Sequence, residues 1–233
     1  MALWVGTSGF NYPEWKGSFY PEKIPSKDML PYYAARFDTV EINNTFYRMP
    51  TEKAVAGWSE VTPERFRLTL KAPKLMTHIK RLRDCEEPLR RFLEVAATLG
   101  PKLGALLFQL PPFARKDVPL LEAFLALLPA DACTTFEFRH ASWFEDEVYA
   151  ALRARNVALC VSDSEKLSAP VEVTADYAYF RLRDEGYTPQ DIVQWARTIE
   201  GKAASCKEVY VYFKHEESGT GPEFARQLLK AME

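Results

Sequence analysis

Thr39-Val40-Glu41-Ile42-Asn43 is the stretch whose reading decides the fold. Strand side chains point alternately to opposite faces, so Val40 and Ile42 share one side while Glu41 and Asn43 share the other. An apolar outer face covered by helices and a polar inner face ending in charge fit one stave of a barrel. The pattern recurs. Short apolar runs, most of them ending in a charged or amide residue, span Leu3 to Thr7, Phe66 to Lys71, Gly104 to Gln109, Thr134 to Arg139, Val157 to Asp163, Tyr177 to Arg181 and Glu208 to Lys214. Helix-like segments separate most of them, so the simplest assembly is an α/β fold of eight units, a single (β/α)8 TIM-type barrel over residues 1–233.

The connecting segments carry helix signals. Leu89, Phe92, Leu93, Ala96 and Leu99 recur at helical spacing up to Gly100. Thr188-Pro189 marks a helix start, and Ser142 with Glu145 and Thr220 with Glu223 have capping-box spacing. One unit is irregular. Between Asp163 and Asp176, which lie between strands six and seven, no helical stripe is legible, so a short or missing helix is expected there.

Composition sets outer bounds. Hydrophobic residues make up 47% and charged residues 27% of 233, as in a soluble globular protein with a full core. A net charge of -2 gives no global attraction to nucleic acid or an anionic membrane, so any such partner needs a local patch. No run approaches the roughly 20 apolar residues that span a bilayer, and no membrane partner is expected. Cys85, Cys133, Cys160 and Cys206 are scattered without CxxC spacing and read as buried thiols. The N-terminus shows no leader pattern, and a cytoplasmic location is the expectation.

Several motifs, in order along most of the chain, resemble a known family. They are Gly6-Thr7-Ser8-Gly9 with Trp15 and Tyr20, then Val40 to Tyr47, Phe66 to Lys71, Thr77-His78, Phe108 to Pro112, and Glu137 to His140 with Trp143. Together they are similar to the YecE-like family, domain-of-unknown-function group 72. That resemblance implies a β/α barrel and carries no established activity. The chain departs from the family pattern near its end, with Arg181-Leu182-Arg183-Asp184 in place of Arg-x-His-Gly and Lys214-His215 in place of an Asn pair.

In a parallel barrel the C-terminal strand ends form the ligand-binding mouth. The residues arriving there are Ser8, Glu41, Asn43, Lys71, Gln109, Glu137, Arg139, Asp163, Arg181 and His215. Charged residues are expensive barrel filler compared with Val or Leu, which favours a site over a purely structural ion network. Glu41 or Glu137 is the candidate general acid/base, its pKa raised in a partly dry mouth. Lys71 and His78 are further catalytic candidates. Ser8, Asn43, Gln109, Arg139, Asp163 and Arg181 are candidates for binding substrate, the arginines suiting a phosphate or carboxylate.

The resulting expectation is an enzyme acting on an anionic, phosphorylated small molecule, a hydrolase or an isomerase. Two alternatives stand beside it. Lys71, Lys74, Lys80, Arg81, Arg83, Arg90 and Arg91 outnumber Asp84, Glu86 and Glu87 within 71–91. With Trp15, Phe19, Tyr20, Phe46, Tyr47 and Trp143 on mouth-side loops, this suits a nucleic-acid-binding protein or nuclease. The other alternative is a non-catalytic barrel that binds a metabolite or protein. The three histidines lack metal-ligand spacing, so no metal site is assigned, although Glu41, Glu137 and Asp163 offer oxygens for a divalent cation. Neither a nucleophile elbow around Ser8 nor a GxGxxG fingerprint is present, and oligomeric state is not legible.

Overall fold

The computed structural model describes residues 1–163, 167–217 and 219–233. Eight parallel strands alternate with helices: β1 (Ala2–Thr7), α1 (Ser26–Ala34), β2 (Thr39–Ile42), α2 (Glu52–Glu60), β3 (Arg67–Lys71), α3 (Glu86–Ala97), β4 (Leu103–Gln109), α4 (Val118–Leu125), β5 (Thr134–Glu137), α5 (Asp146–Ala154), β6 (Ala158–Ser162), β7 (Tyr177–Leu182), α6 (Pro189–Lys202), β8 (Glu208–Phe213) and α7 (Thr220–Ala231). The strands are ordered β1-β8-β7-β6-β5-β4-β3-β2, each parallel to its neighbours. This is the expected TIM-type barrel.

The two ends of that order, β1 and β2, meet at a narrow seam. Gly9 donates its N–H to Glu41 O at 2.8 Å, and Ser8 pairs with Glu41 in a single parallel bridge. Lower down, the Tyr33 hydroxyl from α1 takes the place of ladder bonds, accepting Thr7 N–H at 2.8 Å and donating to Thr39 O at 3.1 Å. Gly6 makes this approach sterically feasible. A Cβ there would stand 2.2 Å from Thr39 O.

Between β6 and β7 no helix forms among the described residues. Thr174 does the docking instead, accepting Leu159 N–H at 2.8 Å and donating to Val157 O at 2.7 Å, while Val171 and Val173 pack on the core. Of the expected α3 stripe Leu89, Phe92 and Ala96 are buried within the helix and Leu99 just beyond its end, while Val95 takes the buried position next to a half-buried Leu93; Gly100 turns the chain with φ of 53°. Thr188 and Asp191 form a full capping box at α6.

The two boxes expected from spacing, Ser142 with Glu145 and Thr220 with Glu223, do not form. Ser142 lies in a 3-10 turn where it bonds the His140 ring and accepts Lys116 N–H, and α5 starts after Glu145. With its hydroxyl committed there, Ser142 cannot cap. Gly219, with φ of 74°, is the cap of α7, so Thr220 is already helical and Glu223 turns to Arg226 and Gln227.

The barrel interior is unusually polar. Tyr177, Tyr179, Tyr210 and Tyr212 fill its lower and middle layers with Ala105, Leu107, Ala158 and Cys160. Buried phenols need partners. The Tyr212 hydroxyl shares hydrogen bonds with Thr39 Oγ1 at 2.6 Å and Thr69 Oγ1 at 2.8 Å, and the Tyr177 hydroxyl donates to Thr134 O at 2.7 Å. Above these layers the interior becomes ionic.

Candidate active site at the barrel mouth

Arg181, at the end of β7, is fully buried on the barrel axis side of the sheet. Its guanidinium binds two carboxylates at once. Nε donates to both oxygens of Glu41 at 3.1 Å, Nη2 to Glu41 Oε1 at 2.9 Å, and Nη1 to Glu137 Oε2 at 3.2 Å. Nη2 also donates to Ser8 Oγ at 2.9 Å.

Further groups surround the two carboxylates, although Glu137 Oε1 meets Arg139 as an ion pair and makes no hydrogen bond. Ser8 donates its hydroxyl to Glu41 Oε1, Tyr179 donates to Glu41 Oε2 at 2.5 Å, Gln109 Nε2 donates to Glu137 Oε2 at 2.8 Å, and Arg139 pairs with Glu137 Oε1. Asn43 Nδ2 donates to Ser8 Oγ at 2.7 Å. Strand alternation thus brings Ser8, Glu41, Asn43, Gln109, Glu137, Arg139 and Arg181 into one network.

This corrects the expected carboxyl chemistry. Burial alone would raise the Glu41 carboxyl, but the charge and hydrogen bonds of Arg181, with Ser8 and Tyr179, outweigh it and hold the group below the usual range. Burial and the opposing charges of Arg181, Arg139 and Lys71 have the same net outcome at Glu137. A lowered carboxyl favours the anion at neutral pH, and as anions both side chains hold the guanidinium groups of Arg181 and Arg139 in place.

Lys71 is the group whose ionisation moves into the working range. Burial, reinforced by the positive charge of Arg181 and of Lys214, pushes its ammonium down to about 7 against partial opposition from Glu137 and Glu41. Its Nζ lies 4.3 Å from the centroid of the Phe46 ring, and the His78 ring meets the other side of the same cluster at 4.9 Å. Burial, then Lys71 and Arg139, lower the His78 imidazole as well. Lys71 opens into a cavity of about 400 Å³ lined also by Tyr12, Asn43, Asn44, Phe46, Lys214 and Glu216.

Two expected residues lie elsewhere. Asp163 accepts Arg183 N–H at 2.7 Å and the Tyr187 hydroxyl, and borders a separate cavity with Asp184 and Asp191. His215 bonds Asp184 O through Nε2 at 2.7 Å and packs on Phe224. Alternation explains both displacements. Cys160 is interior, so Ser162 points inward and Asp163 outward; Tyr210 and Tyr212 are interior, so Lys214 points inward and His215 outward.

The same rule finds what the sequence reading missed: Lys214, two residues beyond Tyr212, and Arg183, two beyond Arg181. Arg183 Nε and Nη1 are buried without a hydrogen-bond partner. Metal binding finds little footing here, since the oxygens of Glu41 and Glu137 are taken up by Arg181 and Arg139. Among the described residues no three metal-capable side chains converge.

The 71–91 basic segment is divided rather than continuous. Lys71 is inside the barrel, Arg83 pairs with Asp117, and Arg90 with Glu87 and Glu94 on α3. Of the mouth-side aromatics, Trp15, Phe19, Tyr20 and Trp143 are buried packing residues, and only Tyr47 is broadly exposed.

This fold and motif set coincide with a known group: the family model described as "Protein of unknown function DUF72" matches residues 4–233. The chain belongs to the DUF72 family. Among DUF72 relatives, the UPF0759 protein YecE of Escherichia coli is 31% identical over 173 residues, 72% of this chain and 61% of YecE, so the match spans about three fifths of that relative. The UPF0759 protein YunF of Bacillus subtilis is 24% identical over 99% of this chain and 95% of its own length. A crystal structure of a DUF72 family protein from Thermotoga maritima is similar with a TM-score of 0.88 at 29% identity, covering 99% of this chain and 98% of that one. No helix among the described residues of this DUF72 chain is long and apolar enough to cross a membrane.

Proposed function

We propose that this DUF72 protein is an enzyme acting on a small phosphorylated substrate at the barrel mouth, with Lys71 as the proton-transfer group. One observation carries the reading. Glu41 and Glu137 are neutralised by Arg181 and Arg139, yet Lys71, Arg183 and Lys214 add further positive charge around the same opening. Glu216, paired with Lys214 at 3.5 Å, offsets only part of it. A mouth where one buried and two half-buried cations outnumber the nearby free carboxylates attracts an anion.

A neutral amine near pH 7 suits abstraction of a proton beside a carbonyl, as in sugar-phosphate isomerisation. Phosphoester hydrolysis is the second reaction type to assay. The four free thiols fit a reducing, cytoplasmic setting. The test is a thermal-shift screen against inorganic phosphate, sugar phosphates and short single-stranded oligonucleotides, since a ligand stabilises the state it binds. A shift with phosphates that is lost in Lys214→Ala and Arg183→Ala supports the reading. A shift with oligonucleotides alone, erased by moderate salt and by neutralising Lys80, Arg81 and Arg83, replaces it with nucleic-acid binding. Phosphate binding without turnover of any sugar phosphate leaves a metabolite-binding barrel.

A further inference from the structure

Among the described residues two lysines are buried, and they differ in one respect. Lys102, 7% exposed, donates its ammonium to Ser59 O at 2.7 Å and Thr62 O at 2.8 Å. Lys71, 8% exposed, has no hydrogen-bond acceptor or ion-pair partner for its Nζ among the described residues. Lys102 is a structural cation held by helix-end carbonyls. Lys71 is not held by anything but an aromatic ring.

The nearby carboxylates do not turn to it, because Arg181 and Arg139 have already taken their oxygens. Arg181 and, more weakly, Lys214 repel its charge, and Glu137 and Glu41 only partly offset burial and that repulsion. A buried amine beside other positive charges is the arrangement that leaves a lysine uncharged and nucleophilic at neutral pH. The amine also faces a cavity of about 400 Å³, within the range of small-ligand pockets. The same features that suit an amine base also suit a nucleophile, and what separates the two is whether a carbonyl carbon can reach Nζ from the cavity.

We propose that Lys71 forms a covalent imine with an aldehyde or ketone that also carries a phosphate group; this rests on the anion-binding mouth of the reading above and puts nucleophilic attack by Lys71 in place of direct proton abstraction by it. Nζ attacks the carbonyl carbon to give a carbinolamine, which loses water. Counted from the ammonium, two of its three protons leave with the carbonyl oxygen as water, and the third stays on the iminium nitrogen. The iminium then draws electrons from a neighbouring C–H or C–C bond, placing the reaction among aldol-type cleavages and α-proton transfers. His78, uncharged beside the Phe46 ring, is the base within this cluster that can take the released proton.

The experiment is reductive trapping. Pyridoxal 5′-phosphate, a phosphorylated aldehyde, is added to the whole chain with sodium cyanoborohydride, and the modified lysine is located by peptide mass mapping. A lysine with pKa near 7 holds on the order of a thousandfold more neutral amine at pH 7 than one near 10.5. Modification at Lys71 should therefore outpace that at exposed Lys53 and Lys74 by at least about tenfold, even allowing for its restricted access. Inorganic phosphate should slow it, and folded Lys71→Arg should abolish it. Lys71→Met is the second variant should the arginine form fail to fold.

Trapping spread evenly over surface lysines, or unchanged in the variants, overturns the imine. The two failures are distinguishable. If inorganic phosphate still raises the thermal midpoint while Lys71 stays unmodified, the imine fails and the anion site stands; if neither occurs, both fail.

Discussion

Replacing Lys71 with Met should stabilise the protein at acid pH and lose that advantage as pH rises. The unfolded chain titrates this lysine near 10.5 and the folded chain near 7. Between those values the unfolded state binds the additional proton, so stability rises with pH across that window, and below about 7 the whole cost of burying the ammonium is present. A fall from 10.5 to about 7 corresponds to about 5 kcal/mol at about 1.4 kcal/mol per tenfold change in affinity for the proton. Relaxation around the charge makes that an upper figure. For a chain of this size each kcal/mol moves the midpoint by about 2–4 °C, so the Met variant should melt about 10 °C above wild type at pH 6. The assay is differential thermal unfolding of wild type, Lys71→Met and Lys71→Arg from pH 6 to 10. Subtracting wild type removes every other titration that the proteins share. The gap between Met and wild type should shrink through the window, while Lys71→Arg, unable to shed its proton, should fall progressively below wild type toward pH 10. A Met advantage that is constant with pH, or absent at pH 6, would refute the claim that Lys71 is an uncompensated buried cation.

Removing the central cation should have the opposite sign. Arg181→Met leaves Glu41 and Glu137 buried without their shared partner and should cost about 3–5 kcal/mol in urea denaturation; an undiminished midpoint would show that the carboxylates find other partners. Tyr33→Phe removes the hydroxyl that bridges β1 and β2, stranding the Thr7 N–H, and should cost about 1–3 kcal/mol with faster amide exchange at Thr7. Exchange at Thr7 as slow as in wild type would contradict the bridge. Gly6→Ala drives a methyl to within 2.2 Å of Thr39 O, backbone that cannot swing aside, so soluble yield and near-UV dichroism should collapse. A soluble Ala variant with the wild-type spectrum would mean the seam opens at little cost.

The fold was legible because strand alternation is a hard geometric rule, and the site was legible to the extent that the rule was followed. Glu41 with Asn43 and Glu137 with Arg139 share their strand's inner face, and Arg181 sits at the centre of the charges they bring. Asp163 and His215 also stand at strand ends, but they fall on the outer register of their own strands and face outward. Arg183 and Lys214 lay one period beyond inner residues and were within reach of the same count. What no pattern in the sequence reveals is the partner list. Whether a buried Glu is raised or lowered depends on how many donors surround it. Five groups crowd the carboxylate pair, Ser8, Tyr179, Gln109, Arg139 and Arg181, and they come from four different strands or strand ends. The helix caps failed for a related reason: Ser142 has the right spacing, but a hydroxyl that meets the His140 ring is no longer free to cap.

The charge balance of the mouth follows from this layering. Glu41, Glu137, Arg181 and Arg139 sum to zero, and each carboxylate is ion-paired with an arginine. A charge-balanced quartet of this kind can serve as a floor to the mouth, and replacing such a network by apolar side chains need not destabilise a protein. Its value lies in what it denies to the residues above it. Because Arg181 and Arg139 bind both carboxylates, Lys71 reaches the cavity without an anion of its own, and Arg183 keeps buried guanidinium nitrogens without acceptors. Lys71 is thereby left poised between two states, an ammonium that needs an incoming anion and a free amine that can attack a carbonyl. A substrate bearing both a phosphate and a carbonyl meets both needs at once, the phosphate satisfying the surplus cations while the carbonyl meets the amine.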